Sequence, residues 1–304
     1  MISYVYFQVM RKILKGKKVG YTVYGEKINN LEHGNQIIRR KLEEDSPCMV
    51  ARIGSTEMQA INAVYAYQMK MRKNIPEIYG KGLNRYSGFF PSNNEAVQRF
   101  ALCYQEAAKQ LDVAAVLLNR DEDYFYRTYA PDIEYVELCS LEPYYVKAPW
   151  SVALKGKKVL VIHPFAATIE KQYKKRKELF ANQDVLPEFD LITIQAVQTI
   201  GKNTAGFDSW FDALDYMKCK MKAIDFDVAL IGCGAYSFPL AAYAKQLGKK
   251  SVVVGGALQI LFGIKGKRWD DAGKIKELYN EAWTRPSEEE RPVGAEDVES
   301  GCYW

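Results

Sequence analysis

Short runs that are apolar at every position alternate along this chain with longer stretches of helical period. Val159-Leu160-Val161-Ile162 and Val228-Ala229-Leu230-Ile231 have no polar side to turn toward water. A strand of that composition is buried on both faces, as strands are in a parallel sheet covered by helices. The pattern predicts strands over 48–53, 113–118, 135–138, 159–163, 191–197, 228–231 and 251–254. Helices are predicted over 56–71, 95–111, 168–180, 207–221, 238–247 and 271–283. Residues 72–93, rich in Gly, Asn and aromatics, read as a loop, and Pro143, Pro149 and the turn Lys155-Gly156-Lys157-Lys158 mark a break. This alternation predicts an α/β fold, Rossmann-like, with a mainly parallel sheet flanked by helices. The body is expected over 45–285, after a basic and aromatic extension (1–44) and before an acidic tail (286–304). The tail's acid, Pro and Gly content favours partial disorder.

At 304 residues the chain can bury one large core or two modest ones, and 48% hydrophobic with 26% charged residues is ordinary soluble composition. The net charge of +5 is mild and locally distributed. Arg11, Lys12, Lys15, Lys17 and Lys18 make one end basic, and Glu288, Glu289, Glu290, Glu296, Asp297 and Glu299 make the other acidic. Nucleic acid is not an expected partner, for want of a basic face or a binding motif. Six cysteines, none at CxxC spacing, and two histidines argue against a structural zinc site and for reduced thiols in a cytoplasmic protein. The basic residues follow the first apolar run rather than precede it, so no signal peptide is expected. The apolar window 228–244 carries two glycines and a proline, which suits a strand, turn and helix better than a membrane span. Ile2, Tyr4, Val5, Tyr6, Phe7, Val9, Met10, Ile13 and Leu14 lie beside the basic cluster. They read either as an element packed on the body or as a peripheral contact of residues 1–18 with the inner face of a membrane.

Candidate chemistry gathers where strands end. Arg52-Ile53-Gly54-Ser55-Thr56-Glu57 leads from a strand through a glycine turn into a helix. In an open α/β sheet, ligands sit at the carboxyl ends of strands, so Arg52, Ser55 and Glu57 stand where a phosphorylated substrate or a metal would be held. A structural reading stands beside it: Ser55 or Thr56 is a good N-cap, and Thr56-x-x-Gln59 fits a capping box. Three further strands run into His163-Pro164-Phe165, Gly232-Cys233-Gly234-Ala235-Tyr236-Ser237 and Gly255-Gly256-Ala257. These turns are expected to line one crevice at one sheet edge.

Gly232-x-Gly234 lets backbone N–H groups approach a phosphate. It is not a dinucleotide fingerprint, because Ser237 holds the third glycine position and no ribose-binding acid follows the next strand. Gly201-Lys202-Asn203 fails the P-loop pattern. No nicotinamide, flavin or zinc is expected. His163 reads as a general base, a phosphate contact or a satisfied polar residue at a strand end. Lys171, Lys174, Lys175, Arg176 and Lys177 form a solvated face or raise the local potential for an anion. In Gly263-Ile264-Lys265-Gly266-Lys267-Arg268-Trp269, Lys265 and Arg268 suit a diphosphate and Trp269 a base or sugar.

These residues resemble the GT-D-type glycosyltransferases of bacterial surface-polysaccharide gene clusters, over roughly 45–285. The likeness rests on Arg52-Ile53-Gly54-Ser55-Thr56-Glu57, Gly88-Phe89-Phe90-Pro91, Trp150 with Leu154-Lys155-Gly156-Lys157-Lys158-Val159, His163-Pro164-Phe165, and Gly232-Cys233-Gly234-Ala235-Tyr236. Its most distinctive part is Gly255-Gly256-Ala257-Leu258-Gln259 running into Phe262-Gly263 and Gly266-Lys267-Arg268-Trp269. The resemblance implies a nucleotide-sugar donor, a glycan or lipid-linked acceptor, and a divalent metal, Mn or Mg. The family signature ends in Asp-x-Glu, whereas this chain has Ser55-Thr56-Glu57. Serine is a poor ligand for a hard divalent cation. Either Glu57 holds the ion together with the donor phosphates, or no metal is needed, or activity is lost. The other class of function is a non-catalytic nucleotide-sugar or glycan-binding module with a decayed metal site. The expected catalytic residues are Glu57 and His163, with Glu57 also the metal contact. Arg52, Gly54, Ser55, Gly232, Gly234, Gly255, Gly256, Lys265 and Arg268 are the expected substrate contacts.

Overall fold

The computed structural model describes residues 22–23, 26–199, 203–292, 295–297 and 301–304. The membrane contact expected of residues 1–18 lies outside the described residues. Among the described residues, nine strands form one sheet: β1 (Thr22–Val23), β2 (Glu26–Asn29), β3 (Met49–Ala51), β4 (Val113–Val116), β5 (Glu134–Glu137), β6 (Lys158–His163), β7 (Asp190–Gln195), β8 (Val228–Ile231) and β9 (Lys250–Val253). Their order is β1-β2-β5-β4-β3-β9-β8-β6-β7. Every pairing from β2 across to β7 is parallel, and only the two-residue β1 runs antiparallel, on the outer edge.

The helices are α1 (Leu31–Glu43), α2 (Ser55–Gln68), α3 (Glu77–Ser87), α4 (Asn94–Ala108), α5 (Glu122–Tyr129), α6 (Ala166–Tyr173), α7 (Arg176–Leu179), α8 (Trp210–Lys222), α9 (Ser237–Gln246), α10 (Leu258–Leu261) and α11 (Gly273–Lys276). The wholly apolar strands serve two cores, one on each face. Leu160 and Ile162 join α2, α4, α8 and α9 in one; Val159 and Val161 join α1, α6 and α10 in the other. Trp210 is fully buried in the first core and Trp150 in the second. Burying one large apolar side chain contributes roughly 1.5–3 kcal/mol, so these layers hold the strand ends in fixed relation.

Several elements differ from the pattern reading. The expected loop 72–93 contains α3, whose buried face is only Gly80, Leu83 and Ser87 and so shows little apolar period. The helix expected over 168–180 breaks into α6 and α7, and that over 271–283 keeps only the short α11. The body also begins before residue 45. Ile28 of β2 pairs with Tyr135 of β5, and Ile37, Ile38 and Leu42 of α1 enter the second core. At the other end, the described part of the acidic tail is folded rather than disordered. Glu290 is buried, and its carboxylate accepts N–H bonds from Ala167 (2.8 Å) and Thr168 (3.2 Å) at the start of α6. A carboxylate there satisfies orphan donors and meets the positive end of the helix dipole. Among the described residues no helix is long and apolar enough to cross a membrane, and the six cysteines are free thiols.

Candidate functional site

Because β3, β6, β8 and β9 are parallel neighbours, their carboxyl ends share one edge. The turns that follow them line a single crevice of about 350 Å³. That volume is within the range of small-molecule sites, and the position is the expected one for an open α/β sheet.

Glu57 enters the crevice from the third residue of α2. The helix is N-capped by Gly54 with no side-chain capping bond, so neither Ser55 nor Thr56 is the cap and the capping box with Gln59 does not form. The glycine turn places both hydroxyls inside the helix. Ser55 is exposed, with its Oγ 2.7 Å from Asn119 Oδ1. Glu57 is 7% exposed, and its Oε1 accepts a 2.8 Å bond from the Ser87 hydroxyl at the end of α3. A Cβ at Gly54 would lie 2.0 Å from Glu57 Oε2, so the carboxylate folds back over a turn that only glycine leaves open. The helix N-terminus favours its negative charge.

Arg52 approaches from the end of β3. Its guanidinium lies against Gly255, where a Cβ would come within 2.3 Å of a terminal nitrogen, and Gly255 has φ +73°. The buried Tyr104 hydroxyl, which donates to Ala235 O at 2.7 Å, senses the crevice charges. Burial pushes that phenol well up, the Glu57 anion adds to the effect, and Arg52 opposes it. Arg268 also lines the crevice, from the turn beyond α10.

His163, at the end of β6, is 3% exposed. Burial lowers its pKa to about 3, so the ring is neutral at pH 7. Nδ1 accepts the Phe165 N–H at 3.0 Å. In a neutral imidazole the proton then sits on Nε2, which makes the free side of the ring a donor. The geometry therefore suits a phosphate or hydroxyl contact better than a general base.

The glycine turn after β8 divides its labour. Gly232 N–H donates to Ile162 O (3.0 Å) and Cys233 N–H to the Ser237 hydroxyl (2.9 Å). Gly232 is needed for packing instead, since a Cβ there would lie 2.5 Å from Gly255 O and 3.0 Å from His163 Cδ2. Gly234, with φ +60° and nothing within 4 Å of where a Cβ would sit, is the exposed residue of this turn. Burial pushes the Cys233 thiol up to about 12, which leaves no thiolate for nucleophilic chemistry at pH 7.

Two expected contacts fall elsewhere. Lys265 does not line the crevice; its Nζ lies 5.4 Å from the Tyr279 ring centroid. Trp269 is buried against Gly266, so it stacks on protein rather than on a ligand. The lysine-rich run 171–177 does not line the crevice, and Lys171, Lys174, Lys175 and Lys177 are exposed. Conversely, the crevice gains residues that strand-end reasoning misses. Thr199 bridges Gly88 O (2.7 Å) and Tyr236 Oη (2.8 Å), and Tyr303 and Trp304 form part of the wall. The one sequence signal for the last pair is two aromatics after an acidic, glycine-containing stretch.

The donor set at Glu57 does not fit a protein-held divalent ion. Glu57 is engaged by Ser87, Ser55 offers a hydroxyl already near Asn119, and no group of three or more His, Cys, Asp or Glu side chains suited to a metal occurs among the described residues. Arg52 and Arg268 line the same crevice.

No family model and no curated protein matches the chain. Two solved structures are similar to it. One, described as "Selenomethionine substituted structure of domain of unknown function 1792 (DUF1792)", is 12% identical, with 93% of this chain and 96% of that chain covered and a TM-score of 0.46. The other, described as "The highly conserved domain of unknown function 1792 has a distinct glycosyltransferase fold", is 12% identical, with 87% and 92% covered and a TM-score of 0.45. Neither likeness reaches the site residues, which are read from this chain's own geometry.

Proposed function

We propose that the crevice binds a nucleotide-sugar donor and that the protein transfers its sugar to a glycan or lipid-linked acceptor in bacterial surface polysaccharide or glycoprotein synthesis. The supporting observation is the convergence of one buried carboxylate, Glu57, with the guanidinium groups of Arg52 and Arg268 in a glycine-lined crevice at the carboxyl edge of a parallel sheet. Transfer breaks the bond between the anomeric carbon and the donor diphosphate as the acceptor oxygen bonds to that carbon. The charge that grows on the departing diphosphate is met by Arg52, Arg268 and the N–H of Gly234, with the His163 Nε2–H as a further donor. The acceptor hydroxyl loses its proton to Glu57, which the Ser87 hydroxyl orients.

The same single-carboxylate site favours a second reading, donor binding without turnover. Release of nucleoside diphosphate from a panel of nucleotide sugars, with and without Mn²⁺, separates the two. Glu57→Gln keeps size and hydrogen bonding but removes the anion. It should lower turnover by about a hundredfold or more, within the usual worth of general base catalysis, while donor affinity stays. Unchanged turnover in a folded Glu57→Gln protein would remove this mechanism, and donor binding with no turnover in the unaltered protein would establish the second reading.

A further inference from the structure

Tyr303 and Trp304 line the crevice, and specific contacts hold the segment 302–304 there. Arg268 N–H donates to Cys302 O at 2.8 Å and Lys267 N–H to Trp304 O at 3.1 Å. Gln259 Nε2 lies 3.2 Å from Tyr303 O, and Arg268 Nη1 donates to the Tyr303 hydroxyl at 3.1 Å. The Tyr303 ring closes on Gly256, where a Cβ would lie 2.4 Å from Cε1, and Trp304 meets the Phe165 ring edge-on at 5.4 Å. Trp304 also lines a second hollow of about 280 Å³ beside Lys267, Arg285 and Arg291, so the residue borders both cavities.

Two polar atoms on this wall are buried and lack a protein partner: Gln259 Oε1 and Trp304 Nε1. Gln259 is wholly buried, and its Nε2 is surrounded by the carbonyls of Ile264, Lys265 and Tyr303, which fixes the amide orientation and leaves Oε1 as an acceptor. A buried acceptor left unsatisfied costs free energy, and Gln259 is one of the residues that line the crevice.

We propose that residues 301–304 belong to the donor site, with Trp304 as the stacking face for the donor's nucleobase and Gln259 Oε1 as acceptor for an N–H or O–H of the nucleoside. This rests on the donor reading above and deepens it: the base lies at the aromatic wall and the diphosphate at Arg52, Arg268 and Gly234. Flat aromatic surface with one fixed acceptor matches a nucleoside, whereas a diphosphate alone would need neither.

The test compares uridine, guanosine and adenosine diphosphates with inorganic pyrophosphate by titration calorimetry on the full chain. Trp304→Ala should weaken the best-bound nucleotide by about tenfold or more, the worth of one stacked base, while pyrophosphate affinity stays within about twofold. Trp304→Phe should restore most of the nucleotide affinity, and nucleotide should quench tryptophan fluorescence less in Trp304→Phe than in the unaltered protein. Equal loss for nucleotide and pyrophosphate would make the segment a structural strap, and tighter nucleotide binding in Trp304→Ala would make it an inhibitory plug; either overturns the proposal. Pyrophosphate and nucleotide bound equally well by the unaltered protein would overturn this assignment alone. Binding of neither would remove the donor reading beneath it.

Discussion

His163 carries a charge consequence that reaches beyond the crevice. Its ordinary pKa is 6.5 and burial lowers it to about 3 in the folded chain. A histidine held neutral by folding stabilises the protein above its unfolded pKa, and that stabilisation is lost as pH falls from about 6.5 toward about 3. Glu122 has the opposite sign. Burial raises its carboxyl to about 7, so its contribution is present below 4.5 and is lost as pH rises through 7. His163→Asn keeps an acceptor for the Phe165 N–H and removes only the first titration. Urea unfolding at pH 7.5, 6 and 5 should show the unaltered protein losing stability relative to His163→Asn, by a slope approaching about 1.4 kcal/mol per pH unit below pH 6. Parallel stability profiles for the two proteins would show that the imidazole is not held neutral.

At the scale of elements, the turns after β8 and β9 act as one device. Gly232→Ala would set a Cβ 2.5 Å from Gly255 O, a backbone atom that cannot swing aside. The two turns would have to part, at roughly 1–3 kcal/mol by the usual cost of overpacking, and ligand affinity should fall with stability. Gly273→Ala is the control, because nothing lies within 4 Å of a Cβ there. It should change the unfolding midpoint little. Equal behaviour of the two variants would show that the turns do not interlock. This level was the most legible in the sequence. β6 and β8 announce themselves because both faces are buried and no polar residue interrupts them, and glycines mark the turns that follow. β2 was hidden because its sequence, Glu-Lys-Ile-Asn, exposes its first two residues at the sheet's margin. The pairing of Glu57 with Ser87 spans 30 residues and depends on how α3 returns to α2, which no local pattern encodes. Trp304 reaches the crevice by tertiary folding alone, whereas the local pattern points to Trp269, which the structure buries.

For the whole molecule, the crevice is a seam between two halves of one sheet. β3, β4, β5, β2 and β1 run to one side of it and β9, β8, β6 and β7 to the other, and β3 pairs directly with β9. Arg52 and Glu57 come from the first half; His163, Gly234, Gly255 and the wall at Trp304 come from the second. A ligand that touches both sets binds only when the halves are joined, so it should stabilise the native state and not the unfolded chain. At about a hundred times its Kd such a ligand adds roughly 2.7 kcal/mol. For a chain of this size that corresponds to a rise of several degrees in the unfolding midpoint, at about 2–4 °C per kcal/mol. The β3–β9 pairing also requires the halves to melt together, so the shift should move one cooperative transition rather than split it. A calorimetric scan with uridine, guanosine, cytidine and adenosine diphosphates, each with and without Mn²⁺, measures both effects. At least one nucleotide should raise the whole transition, and inorganic phosphate should raise it less because it reaches only the cationic end of the crevice. If no member of the panel moves the midpoint under either condition, the crevice is not a nucleotide site and the proposed transfer has no donor. If a nucleotide stabilises only part of a split transition, the two halves are separate units and the ligand does not bridge them.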